Sequence, residues 1–240
     1  MVYLAVLFDM DGVIVDTYQS VTAFWQRLAA THRVHLTQED FDQHIYGCPA
    51  IHTLDSLFAQ LGSDERRAVI EQMAQYEMHL AYTGVPGAVE FVRALKQRDI
   101  PLALVTSGER WKVDAVCSQL GLEEWFDALV TASDIRLGKP HPDCYLLAAQ
   151  SLNTPPERCI VFEDSISGAQ AAVAAGALCV GIQSSTLALA LLEAGASCVV
   201  PNFLAVHLTP SDESAGAVGL QFNQGQGVML HGGSLDGIRG

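Results

Sequence analysis

Residues 3–12 read YLAVLFDMDG. The apolar run 3–8 continues without a break into Asp9, and Asp11 and Gly12 follow at once. A strand with one wet face alternates apolar and polar residues. An unbroken run belongs to a strand buried on both faces, as in a parallel sheet covered by helices. The pattern recurs at Leu102–Val105, Ala128–Val130, 159–162 and Leu178–Ile182, and more weakly at Cys198–Val200. Helix-length segments at 87–97, 111–120, 143–152 and 167–175 separate these runs. Strand and helix in alternation predict an α/β fold with a doubly wound parallel sheet.

The span 17–84 breaks the alternation. It holds no apolar strand run, but it does hold helical stripes. Val21, Phe24, Trp25 and Leu28 stand at i, i+3, i+4 and i+7; Leu54, Leu57, Phe58 and Leu61 repeat that spacing, and Val69, Met73, Tyr76 and Leu80 come close to it. Packing explains each stripe, and together they predict a four-helix cap inserted after the first strand. Val85-Pro86-Gly87 marks the return to the sheet. The expected division is a core from 1–16 and 85–205, a cap from 17–84, and a flexible tail from 206–240. Residues 211–240 contain eight glycines and a single Lys or Arg, with a short hairpin expected around 228–231. Thr17 and Val85 flank the cap, so hinges are expected there.

Composition narrows the function. The 240 residues carry 27 acidic against 13 basic side chains, a net charge of −14. Nucleic acid would be repelled, and the longest basic cluster is only Arg66-Arg67. No apolar run is long enough for a transmembrane helix, and the short N-terminal run has neither the basic start nor the flanks of a secretory signal. Cysteines 48, 117, 144, 159, 179 and 198 include no CxxC pair. They read as small buried hydrophobes in a reducing compartment, which predicts a cytoplasmic protein. An anionic substrate would also be repelled at long range, so its site needs local positive charge, and a metal ion supplies it.

Four polar clusters follow the apolar runs. Asp9-Met10-Asp11-Gly12 ends the first strand, where ligands of open parallel sheets bind. One carboxylate could attack phosphorus while the other shuttles a proton; a solvated turn would use the same residues. Thr106-Ser107-Gly108 ends the next strand. Its hydroxyl and exposed N–H groups could hold a phosphate oxygen, or form an ordinary helix start. In 138–143, GKPHPD, two prolines stiffen the backbone beside Lys139, a compact charge suited to phosphate and carboxylate but also at home on a surface. Glu163-Asp164-Ser165 follows the 159–162 run. Adjacent acids repel unless a cation is present, and Mg2+ suits a few carboxylates and a phosphate; Asp164 or Ser165 could equally cap the next helix. Each cluster alone is ambiguous. The set converges on one sheet edge and holds a nucleophile, an acid/base, a phosphate hydroxyl, a cation and metal ligands.

FDMDGVIVDT at 8–17, LVTSG at 104–108, GKPHPD at 138–143 and VFEDSISGAQAA at 161–172 together resemble the haloacid dehalogenase superfamily, over residues 5 to about 200. The resemblance implies a Rossmann-like core with an inserted helical cap. It implies Asp9 as the nucleophile that becomes an aspartyl-phosphate. Asp11 would be the general acid/base, with its carbonyl on Mg2+. Thr106, with Ser107 and Gly108, would bind phosphate, and Lys139 would orient nucleophile and phosphate. Asp164 would ligate the metal, with Glu163 a direct or outer partner. Asp9 would also be a ligand. Asp11 and Asp164 argue against a dehalogenase. A phosphonatase would need a cap lysine, and 17–84 has none. A β-phosphoglucomutase would carry a cap arginine where this chain has Ala50 in Gly47-Cys48-Pro49-Ala50, and Val21 replaces its cap histidine. Residues 131–149 resemble the sugar-phosphate and glycerol-phosphate phosphatases instead. The expectation is a phosphatase for a small sugar or polyol phosphate, with Trp25, His44, Tyr46 and His52 as candidate cap contacts. A mutase, or a non-catalytic protein that binds phosphometabolites, is the alternative.

Overall fold

The computed structural model describes residues 2–184, 187–210, 217–222 and 227–232. Its centre is a six-stranded parallel sheet in the order β4-β3-β2-β5-β6-β7. The strands are β2 (Ala5–Asp9), β3 (Leu102–Val105), β4 (Ala128–Val130), β5 (Cys159–Glu163), β6 (Leu178–Ile182) and β7 (Cys198–Val200). Each apolar run of the sequence contributes a strand to this sheet. The strand order reverses at β2, where β3 and β5 flank it on either side. A crevice therefore opens beyond Asp9, at the switch point of the sheet.

Two layers bury the sheet. On one face lie α7 (Asp143–Ser151), α8 (Ile166–Ala174) and α9 (Leu187–Glu193), packed through Cys144, Tyr145, Ala148, Ala171 and Leu191. Helix α9 is short and was not among the expected helices. On the other face, α5 (Ala88–Lys96) and α6 (Arg110–Leu120) contribute Phe91, Val92, Leu95, Val113 and Val116.

The second face corrects the expectation of a flexible tail from 206 onward. Strands β8 (Val206–Pro210), β9 (Ala217–Phe222) and β10 (Gly227–His231) form a second sheet, β1-β10-β9-β8. Val206, Val218, Leu220, Phe222 and Leu230 join the core that contains Phe162, Val180 and Val200. Burying that apolar surface is the reason these glycine-rich segments are ordered. The parts of the expected tail at 211–216, 223–226 and 233–240 lie outside the described residues. The N-terminal run is also divided: β1 (Val2–Tyr3) pairs in parallel with β10, and only after Leu4, whose N–H bonds Arg158 O, does β2 enter the central sheet.

Four helices fill the insertion: α1 (Tyr18–His32), α2 (Gln38–His44), α3 (Ala50–Leu57) and α4 (Ser63–Met78). The predicted stripes meet in a separate core of Phe24, Trp25, Leu28, Leu54, Phe58, Leu61 and Val69, joined by Phe41 and Ile45 from the α2 region. Phe58, Leu61 and Leu80 belong to stripes that outrun their helices. The two connections to the core run side by side: Asp16 N–H bonds Thr83 O at 2.8 Å and Val85 N–H bonds Ile14 O at 3.0 Å.

Candidate active site

Asp9 is the last residue of β2, and the turn beyond it places Asp11 and Gly12 over the strand end. Gly12 has φ 77°, in the left-handed region that favours glycine, and a Cβ there would lie 1.9 Å from Asp164 Oδ2. The glycine of the first motif thus makes room for the aspartate of the fourth, a pairing that neither motif reveals alone.

Lys139 is buried under this edge. Its Nζ lies 2.5 Å from Asp9 Oδ1 and 2.6 Å from Glu163 Oε1. Glu163 is wholly buried and saturated: Oε1 also accepts from Tyr145 Oη at 2.7 Å, and Oε2 accepts from Asp164 N at 3.0 Å, Ser165 N at 3.1 Å and Ser165 Oγ at 3.0 Å. Ser165, not Asp164, caps α8, accepting from Gly168 N at 3.1 Å. A Cβ on Gly168 would fall 1.7 Å from Glu163 Oε1, so the helix can approach the carboxylate only as glycine.

Thr106 is buried at the end of the neighbouring strand. Its Oγ1 accepts from Gly108 N at 2.9 Å. That bond engages the Gly108 N–H, which is therefore not open to phosphate, and leaves the hydroxyl proton of Thr106 free to donate. Lys112, two residues into α6, was not anticipated. Its Nζ lies 2.7 Å from Glu77 Oε1 on α4 and 2.9 Å from Asp11 Oδ1. The Lys112 ammonium is the partner that Asp11 Oδ1 has among the described residues. Glu77, Tyr145 and Gly168 were not anticipated either, whereas Ser165 fills the capping role its sequence position offers. Glu77 and Tyr145 carry no local signal, because their partners stand 35 and 18 positions away.

The charges do not balance. Five carboxyl groups, on Asp9, Asp11, Glu77, Glu163 and Asp164, face two lysines. Burial pushes Asp9 up to about 8; Lys139 opposes this, and Glu163 and Asp11 add to it. Burial, with the charges of Asp9 and Glu163, holds Asp164 well above the carboxylate range. Burial acts on Glu163 in the same direction, but Lys139 and the bonds from Tyr145 and Ser165 outweigh it, so its carboxyl stays low. Oxygens of Asp9, Glu163 and Asp164 lie within 4.8 Å of one another. Crowded, desolvated carboxylates with hard oxygen donors fit a divalent cation. Asp9 and Asp164 have oxygens to offer it, whereas those of Glu163 are engaged.

A cavity of about 330 Å³ separates this cluster from the cap. Asp9, Asp11, Thr106, Ser107, Gly108, Lys112 and Asp164 line its floor. Val21, Trp25, Ile45, Ile70 and Met73 line the cap side, with Tyr18 and Tyr46 stacked 4.4 Å apart. Of the four expected cap contacts, Trp25 and Tyr46 reach the cavity. His44 and His52 pair with each other at 3.2 Å, away from its lining. The stretch 47–50 does line it, and brings no cation.

Residues 3–176 match the family described as haloacid dehalogenase-like hydrolase. The chain belongs to that family. It is 36% identical over 210 residues to the phosphorylated carbohydrates phosphatase of Thermotoga maritima, covering 82% of this chain and 93% of that one. It is 34% identical over 196 residues to the validoxylamine A 7'-phosphate phosphatase of Streptomyces hygroscopicus subsp. limoneus, covering 80% and 91%. A hydrolase from Pseudomonas syringae shares the fold at TM-score 0.74 with 26% identity, covering 84% and 94%. This member of the family is an enzyme of the phosphatase kind.

Proposed function

We propose that this phosphatase hydrolyses small sugar or polyol monophosphates through an aspartyl-phosphate on Asp9, with Mg2+ as cofactor. The observation that carries the proposal is Asp9 itself. It is a buried carboxylate at the sheet's switch point, held 2.5 Å from Lys139 and facing the capped cavity. An Asp9 oxygen attacks phosphorus as the ester P–O bond breaks, and Asp11 protonates the leaving oxygen. Water then attacks the phosphoryl group, gives its proton to Asp11 and frees Asp9. The Thr106 hydroxyl, with Ser107 beside it, holds phosphoryl oxygens, and Lys139 offsets their charge. Glu163 keeps Lys139 in place. Asp9, Asp164 and the Asp11 main-chain carbonyl would hold the metal, which supplies charge neutralisation at phosphorus.

The substrate class rests on the cavity and on the relatives' names. About 330 Å³ suits a small metabolite. The cap side brings no cation for a second phosphate, which weighs against a mutase that must hold a bisphosphate. The unpaired cysteines, five of them buried, support a reducing, cytoplasmic setting. Among the described residues no helix is long and apolar enough to cross a membrane.

The test is phosphate release from a panel of sugar, polyol and glycolate phosphates with Mg2+. Asp9→Asn should lower turnover at least about 1,000-fold, and EDTA should abolish it until Mg2+ is restored. Activity that survives either treatment sinks the mechanism. β-Glucose 1-phosphate with a bisphosphate primer should yield free phosphate faster than glucose 6-phosphate; the reverse order would make the enzyme a mutase.

A further inference from the structure

Lys112 is 6% exposed and touches two carboxylates from two different parts of the molecule. Glu77 comes from the last helix of the cap, and Asp11 from the turn after β2. The end of α4 is stitched to this place. Tyr82 Oη donates to Glu77 O at 3.0 Å, Tyr82 N–H donates to Gln119 Oε1 on α6 at 2.9 Å, and Gln119 Nε2 donates to Leu80 O at 3.2 Å. Where Glu77 stands relative to Lys112 is therefore set by how the cap sits on α6. A lysine has four rotatable side-chain bonds, and burying its ammonium is unfavourable without partners. With both carboxylates present, its head is fixed between them. Asp11 Oδ1 has no other partner among the described residues, so Lys112, 2.9 Å away, is what holds that oxygen.

We propose that Lys112 is a positioning residue for Asp11 and that Glu77 makes its action depend on the seated cap. The inference rests on the phosphatase reading of Asp9 and Asp11. In that reaction the ester P–O bond breaks with its electron pair on the leaving oxygen, and that oxygen takes the proton of Asp11. A 4-nitrophenolate leaves readily without the proton, whereas an unsubstituted phenolate or an alkoxide needs it much more. A misplaced Asp11 therefore harms poor leaving groups most.

The experiment measures kcat/KM on a graded series of phenyl phosphates, from 4-nitrophenyl to unsubstituted phenyl, with Mg2+. The proteins are wild type, Lys112→Met, Lys112→Arg, Glu77→Gln and the Lys112→Met/Glu77→Gln double variant. Lys112→Met should lose at least about 10-fold more activity on phenyl phosphate than on 4-nitrophenyl phosphate. Lys112→Arg should recover part of that difference. Glu77→Gln, which preserves side-chain shape, should steepen the leaving-group dependence in the same direction. The double variant should be no worse than Lys112→Met, because the two residues act as one unit. An equal loss across the series in both single variants, as a purely structural ion pair would give, overturns the inference. So does a double variant whose losses simply multiply. A wild-type enzyme inert on every ester would instead remove the phosphatase reading on which the inference stands.

Discussion

The two walls of the cavity are built on opposite principles. The core wall concentrates charge: Asp9, Asp11, Asp164 and Lys112 line it around one sheet edge, with Lys139 buried behind Asp9. The cap wall, Glu77 apart, is mostly apolar and aromatic, with Val21, Trp25, Ile70, Met73 and the stacked pair Tyr18 and Tyr46. Phosphoryl transfer needs fixed charge whatever alcohol is leaving, so the core wall can be indifferent to the rest of the substrate. The cap wall has shape and contact area to offer, so it can sort substrates by fit. Substitutions in the first wall should therefore depress turnover on every phosphate ester, and substitutions in the second should reorder substrates.

Beyond Asp9 itself, a large blow to the core wall should come from a residue that touches no substrate. In Gly168→Ala the new Cβ would meet Glu163 Oε1 at 1.7 Å and dislodge the carboxylate that anchors Lys139. Turnover should fall about 100-fold or more on all esters alike, as steady-state assays across the panel would record. A loss confined to some substrates would break the contrast between the walls.

Leu220 is fully buried in the C-terminal sheet, in the core that also holds Phe162 and Val180. Leu220→Ala should cost about 2–5 kcal/mol of stability in denaturant melts, with turnover below the melting transition little changed. A full-length protein whose stability ignored this change would not have its second sheet built into the core.

On the cap wall, Met73→Ala should change kcat/KM by about 10-fold or more. The effect should favour some substrates over others, and competition assays would show the reordering. A uniform fall would mean that the cap wall contributes to chemistry.

The smallest effect lies in the cap itself. The Thr37 side chain and N–H both bond Asp40, and those bonds hold the Asp40 carboxyl below its ordinary 3.8. A carboxylate whose pKa is lowered by folding adds stability above the unfolded value, and loses it as pH falls through the folded one. Thr37→Ala should cost about 1 kcal/mol at neutral pH, shrinking below pH 3.8, and urea melts at the two pH values would compare the costs.

Much of the core wall was legible in the chain. Asp9, Asp11, Thr106, Lys139, Glu163 and Asp164 stand beside apolar runs or glycine and proline punctuation, which local sequence records. The structure gathers them at one edge. Lys112 escaped notice because one lysine on a helix looks like any surface residue until its partners are known. Those partners are far off in sequence, with Glu77 35 positions away. His44 and His52 erred in the opposite direction: as polar residues in the cap they looked like contacts, yet they pair with each other.

The sequence by itself determined the central sheet and the clusters at its edge. A strand buried on both faces must be continuously apolar, and a strand-end turn must carry the residues that permit it. Tertiary structure alone decided the fate of the two chain ends. Val2 pairs with Met229 across nearly the whole length of the chain, and no local pattern encodes a partner so distant. The apolar face of β5, β6 and β7 needed cover, and the glycine-rich strands that provide it differ from a loose tail only once that face is present to be buried.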